Sequence, residues 1–450
     1  MLDRRGFLGS IALPSAAALA AFARSTGASE TGFDRDAWQE MLEDWADNPS
    51  QGSPAQIAAD EDFWRMPQQA FAIDRSLINL NNGGISPSPR VVLEAMRRYS
   101  DHANTAPAYV LWRLQEPQRE SVREAIANHW GVSADEIAFT RNASESLQIC
   151  QLGLDLKAGD EVVTTTQDYP RMLSTFRQME RRNGIKLVLI KLPIPCENDA
   201  EAVARFEAAI TPRTRMILMS HVINITGQIM PVKKVADMAR GKNGGIPVVV
   251  DGAHAFAHLR FKLSELGCDY YGVSLHKWLF APHGTGLLYV RRDKIKGLWP
   301  MMAAKPEQDD DIRKFEEIGT HPAGPALAIA DALAFHQVIG DARKEARMRY
   351  LRDYWAQRLA STSDGAAHPV VFHTSFDPRF SCGIATFQLR GIESGKIVSA
   401  LWERHKILVN AITHEEFEGI RVTPSIYTLT SELDRFVGAV RQIMKDGLAA

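Results

Sequence analysis

Between residues 136 and 290, apolar runs of strand length at 136–139, 161–164, 186–190, 215–219, 246–250, 270–273 and 286–290 are separated by stretches whose apolar residues recur at helical spacing. The runs show no polar alternation, so both faces of the sheet they build are covered, which predicts a largely parallel α/β unit. Upstream, 77–81 reads as a short strand ended by the turn Asn82-Gly83-Gly84, and 87–102 reads as a helix with proline near its start. Residues 32–66 are acidic, carry Trp38, Trp45 and Trp64 at helical spacing, and read as one or two helices packed on the outside. After 290, residues 322–336 open a long helical region, and 386–389 and 420–422 read as strands of a smaller α+β unit. The expected division is 1–28 as a leader, 29–90 as a segment contributing to the small domain, 91–325 as the large domain and 326–450 as the small one.

The leader departs from this pattern. Arg4-Arg5 precedes Phe7-Leu8 and an Ala-rich apolar stretch at 11–23, which resembles a twin-arginine export signal with Ala21-Phe22-Ala23 as a cleavage site. The stretch is shorter than the roughly 20 residues of a spanning helix. The expectation is therefore a periplasmic or exported protein that folds first in the cytoplasm and meets the membrane only through the export machinery; an uncleaved anchor is the alternative.

Composition adds exclusions. Lys+Arg 52 against Asp+Glu 54 leaves no global field for nucleic acid or anionic lipid. Cys150, Cys196, Cys268 and Cys382 are far apart and form no CxxC pair, so neither a disulfide framework nor a metal site is expected.

The chemistry concentrates where strands end. Asp251 directly follows an apolar strand, and Lys277 lies in the connection between the runs at 270–273 and 286–290, flanked by Ser274 and His276. In an open parallel sheet both project into the cleft beyond the strand ends. A lysine and a carboxylate there suit pyridoxal 5'-phosphate: the amine forms a Schiff base with the aldehyde, and the carboxylate keeps the pyridine nitrogen protonated. A phosphate needs a helix N-terminus reached from a strand. The segment FTRNASESL supplies one, with Ala143 and Ser144 in its first turn.

These segments, with LNNGGISPSP, TTTQDYPRM, SHVINITGQIMPV, VVVDGAHA, SLHKWLFAPHGTGLLYVR, EIGTHPAGP and GIRVTPSIYTLTSELDRF, resemble the class V aminotransferases of fold type I, and within them the isopenicillin N epimerase-like group. The resemblance implies a large domain with a mostly parallel seven-stranded sheet plus a smaller α+β domain. It implies Lys277 as the Schiff-base lysine, Asp251 at the pyridine nitrogen, and His254 and Asn224 near the ring hydroxyl. Ala143, Ser144, Ser274 and His276 would hold the phosphate, and Tyr169 would stack on the ring. Thr320 would reach the phosphate of a neighbouring subunit, so the implied assembly is a homodimer with shared active sites. Arg421 would bind a substrate carboxylate, with Asn81 or Asn82 beside it.

The implied substrate is an amino acid or a derivative of one, and racemisation or epimerisation, transamination and β-elimination all remain open. Desulfurase chemistry is disfavoured because residues 409–419 (VNAITHEEFEG) contain no cysteine. A C–S lyase and a non-catalytic pyridoxal phosphate-binding protein are the alternatives to an epimerase or aminotransferase.

Overall fold

The computed structural model describes residues 52–449; the export signal expected at 1–28, with Trp38 and Trp45, lies outside the described residues. The seven apolar runs become β2 (Ile137–Thr140), β3 (Glu161–Thr165), β4 (Lys186–Ile190), β5 (Thr214–Ser220), β6 (Val248–Asp251), β7 (Tyr270–Ser274) and β8 (Gly286–Val290). They form one sheet in the order β2-β8-β7-β6-β5-β3-β4. β4, β3, β5, β6 and β7 run parallel, whereas β8 is antiparallel to both neighbours. Every residue of β3, β6, β7 and β8 is buried, which is why these strands read as continuous apolar runs. β6 starts two residues later than its apolar run because Pro247 has no N–H for the ladder, and it extends to Asp251, which pairs with Ser220 and Gly272.

A second, antiparallel sheet takes the order β12-β13-β10-β9, from Val370–Phe372 (β9), Ala385–Leu389 (β10), Asn410–Thr413 (β12) and Glu418–Val422 (β13). The short β1 (Ile78–Asn79) runs parallel to β11 (Ile407–Leu408), and Asn81 bridges to Thr423. Ile78 and Leu80 thus join the apolar cluster of the second sheet, whereas Trp64 and Phe71 join the cluster of the first. Trp64 shows which face of the outer helix packs inward. It lies on Glu61–Gln69 and is fully buried, its indole N–H donating to the Ile57 carbonyl at 2.8 Å and its ring covered by Arg347 at 5.3 Å.

Four helices matter for the site: α1 (Ala143–Gly153), α2 (Pro170–Asn183), α3 (Ile329–Ile339) and α4 (Asp341–Ala360). Asn142 caps α1, its Oδ1 accepting from the Glu145 N–H at 2.9 Å. A proline at the first position of α2 leaves Tyr169 as its N-terminal flank.

Candidate active site

Beyond the C-terminal ends of the parallel strands, Lys277, Asp251 and His254 meet. Asp251 ends β6, His254 follows in the next turn, and Lys277 comes three residues after β7. Lys277 Nζ lies 3.1 Å from His254 Nε2. Burial pushes the lysine down to about 8, opposed by the Asp251 carboxylate and assisted by Arg421. Burial likewise raises Asp251 to about 6, against the Ala253 N–H that donates to it at 3.0 Å and against Lys277. His254 is held well below its usual value, by burial first and then by Lys277, and so stays neutral beside the amine.

The turn after Asp251 needs glycine. A Cβ at Gly252 would fall inside the Tyr271 ring, which is fully buried and whose hydroxyl meets His221 Nδ1 at 2.9 Å. Gly252→Ala is therefore expected to destabilise by about 3 kcal/mol, the upper end of overpacking costs. A thermal melt within a degree of wild type would refute this close packing.

The residues expected to hold a phosphate gather at the N-terminus of α1. The Ala143 N–H donates to Ser274 Oγ at 3.0 Å, Ser144 is half-buried in the first turn, and His276 lies two residues beyond Ser274 with Nδ1 3.2 Å from the Thr285 carbonyl. Burial pushes His276 down to about 4, so its ring is neutral. Gly286 lets β8 pass this corner, since a Cβ there would come within 2.5 Å of the Asn142 nitrogen.

Arg421 reaches the cluster from β13. Its Nη2 donates to Asn81 Oδ1 at 3.0 Å and its Nη1 to the Asn224 carbonyl at 3.1 Å. Asn81 is the asparagine at the site. Asn82 turns inward, completely buried, and is bound by the Tyr427 hydroxyl while its amide donates to the Thr423 carbonyl at 3.0 Å. Burial lowers Arg421 to about 10, with the Tyr169 phenol opposing that shift. Tyr169 is 38% exposed at the mouth of the cleft. Thr320 is exposed on the connection before α3, where its neighbour His321 contacts Arg119 at 3.1 Å.

Two anchors of Tyr169 were not singled out from the sequence. Asp168 Oδ2 accepts from the Thr164 hydroxyl at 2.8 Å and from the Thr165 N–H at 2.9 Å, while Oδ1 accepts from the Ser220 N–H and hydroxyl at 2.7 Å each. It thereby ties the ends of β3 and β5 together. The connection between β12 and β13 lies against the same turn: Glu416 accepts from the Thr166 hydroxyl at 2.8 Å and from Gln167 at 3.2 Å, and His414 Nε2 meets the Thr166 carbonyl at 2.9 Å. Asp168 sits in TTTQDYPRM, so its presence was visible, but the strand it would brace was not.

The polar groups around Lys277 suit pyridoxal phosphate. His254 Nδ1, Asn224 Oδ1 and Arg421 Nε are buried polar atoms without a hydrogen-bond partner. Three such atoms from three separate elements around one lysine leave unused bonding capacity of the kind a polar ligand satisfies. With a helix N-terminus for a phosphate and a buried carboxylate for a ring nitrogen, the donor set fits.

A family model described as Aminotransferase class-V matches residues 78–433. The chain is 29% identical to isopenicillin N epimerase of Streptomyces clavuligerus over 84% of its length and 97% of the relative's. It is also 29% identical to that of Amycolatopsis lactamdurans, over 85% and 99%. Among solved structures it is similar to a cysteine desulfurase from Thermococcus onnurineus NA1, with a TM-score of 0.73 at 23% identity over 86% of this chain and 98% of that one.

Proposed function

The chain belongs to the class-V aminotransferase family of pyridoxal phosphate enzymes, and from that premise we propose that it moves the α-proton of an amino acid or amino-acid derivative in a reaction of the epimerase or aminotransferase type. The observation that carries the reading is the convergence of Lys277, Asp251 and Arg421 on one cleft, with the lysine lowered to about 8. An amine in that range shuttles protons near neutral pH, where an ordinary lysine stays charged. When bound, the cofactor supplies an electron sink for the carbanion left at Cα.

The residues divide the work as follows. Lys277 Nζ takes the proton from Cα and returns it, and neutral His254 at 3.1 Å keeps that amine oriented. With the cofactor bound, the Asp251 carboxylate would hold positive charge on the ring nitrogen, and Ala143, Ser144, Ser274 and His276 would hold the phosphate. Arg421, aimed by Asn81 and the Asn224 carbonyl, receives the substrate carboxylate with its planar fork. Tyr169, its turn braced by Asp168, would cover the ring.

Desulfurase chemistry lacks its nucleophile. Cys150, Cys196, Cys268 and Cys382 are all buried, and burial pushes every one of these thiols up, Cys382 to about 11 and Cys268 to about 12.

The discriminating experiment incubates the enzyme with amino acids in D2O. Deuterium at Cα without keto acid marks an epimerase, and keto acid with an aminated cofactor marks an aminotransferase. Pyruvate and ammonia from a sulfur-bearing amino acid would replace this reading with a C–S lyase. No exchange with any amino acid or amino-acid derivative would overturn it.

Substituting Arg421 tests the carboxylate role. Arg421→Gln is expected to raise KM about a hundredfold with kcat little changed, and Arg421→Lys about tenfold, since a point charge replaces a bidentate fork. An unchanged KM would remove Arg421 from substrate binding.

We propose further that the chain acts as a homodimer and is exported by the twin-arginine route. Exposed Tyr109 and Trp112 support a partner surface, and the Arg4-Arg5 leader supports export. Sedimentation of the holoenzyme as a monomer would refute the first, and exclusively cytoplasmic recovery of the full chain the second.

A further inference from the structure

The residue after Lys277 is held from behind by a second buried lysine. Lys344, on α4, is 1% exposed. Its Nζ donates to the Trp278 carbonyl, lies 3.2 Å from His336 Nδ1 and sits 4.2 Å above the Phe280 ring. Phe280 has φ 62, in the left-handed region, and such a backbone persists in a bulky residue only where the surroundings over-determine it. Here the surroundings are Lys344 on the carbonyl side and His258 packed on the Trp278 ring at 4.4 Å.

Burying an ammonium demands a counter-charge, and the network supplies one. Lys344 Nζ lies against Nδ1 of His336, and Nε2 on the other side of that ring lies 2.5 Å from Asp341 Oδ1, close enough for the charges to interact although no aligned hydrogen bond joins them. His129 Nε2 approaches the same oxygen at 3.2 Å, with Gln337 Nε2 at 3.3 Å from its Nδ1. Asp341 opens α4, where the helix dipole favours a carboxylate. A negative charge at the half-buried rim thus reaches Lys344 through one imidazole. His129, Asp341 and His336 bring three ligating atoms within 4.8 Å of one another, but a metal ion there would place a second cation beside a buried one.

We infer that Lys344 is a positioning residue for Lys277, holding the turn through Trp278 and Phe280 in the backbone conformation that presents the Lys277 amine to the cofactor. This rests on the pyridoxal phosphate reading of Lys277. Burial lowers Lys344 to about 7, opposed by Asp341, so its charge depends on the network.

The test follows attachment rather than turnover. Cofactor-free protein is titrated with pyridoxal phosphate, reduced with borohydride, and the modified Lys277 peptide is quantified by mass, alongside thermal melts. Lys344→Met is expected to raise the half-saturating concentration about tenfold, the worth of one charge-assisted hydrogen bond, and to lower the melting temperature as well, since the Trp278 carbonyl and Asp341 are left without their cation. Lys344→Gln, which keeps a donor for the Trp278 carbonyl, is expected to recover most of that loss. Met and wild-type curves that superimpose would overturn the inference, as would Met and Gln impaired equally and in step with lowered melting temperatures. If Lys344→Met does not fold, Asp341→Asn carries the test, with an expected threefold rise, about half the free energy of a tenfold change, at an unchanged melt; a superimposable curve overturns it. Unmodified Lys277 in the wild type would overturn the cofactor reading and this inference together, whereas a trapped wild type with unaffected variants removes only the positioning role.

Discussion

Replacing Lys277 with alanine is expected to abolish the absorbance band near the visible edge that the bound cofactor gives the wild-type protein, and to cut turnover by about four orders of magnitude or more. Two losses combine. The covalent anchor of the aldehyde disappears, and so does the amine placed to move the Cα proton; general-base contributions alone reach about 10²–10⁴. His254, 3.1 Å from that amine, cannot replace it, because burial and the surrounding cations hold its ring far below its usual value. Fold should survive, since the substitution removes a buried ammonium without deleting apolar core. Absorbance and the D2O exchange assay give the two readouts. A variant that keeps the band, or exchanges Cα deuterium within tenfold of wild type, would show that another group does this work.

How much of this was legible in the sequence depends on how far apart the cooperating residues lie. The seven strands could be read because a strand covered on both faces is written as an uninterrupted apolar run, and Asp251 and Lys277 because each lies just past such a run. Ala143 and Ser144 followed from the same rule applied to a strand leading into a helix, whereas Ser274 and His276 entered only through the family resemblance. What could not be read was pairing over distance. Asp168 braces Ser220, 52 positions away, and Lys344 holds the Trp278 carbonyl, 66 positions away; alone, one is a turn aspartate and the other a lysine in a charged helix. Nor could Asn81 be separated from Asn82, because only the bridge from Asn81 to Thr423 decides which amide faces Arg421 and which is buried under Tyr427.

Asp251→Asn should separate the electronic role of that carboxylate from its packing. Asparagine keeps the size and can still accept from the Ala253 N–H, so the turn and the melting temperature should hold, while kcat falls about 10²–10³-fold with little change in KM, the range typical of deleting one preorganised electrostatic partner. The pH dependence of cofactor affinity gives an independent signature. Attachment needs Lys277 neutral, so affinity declines as pH falls below about 8 in the wild type, and from a lower pH in Asp251→Asn, where the carboxylate no longer holds the lysine up. In the wild type Asp251 must also be ionised to hold charge on the ring nitrogen, and burial has raised it to about 6. Below that pH the cofactor-free protein binds one further proton that the complex must release, so the decline steepens by about tenfold per pH unit. Asparagine does not titrate, and its curve should keep a single slope through pH 6. A break near 6 that persists in Asp251→Asn would assign that proton to another group, and an unchanged kcat would separate Asp251 from the ring nitrogen altogether.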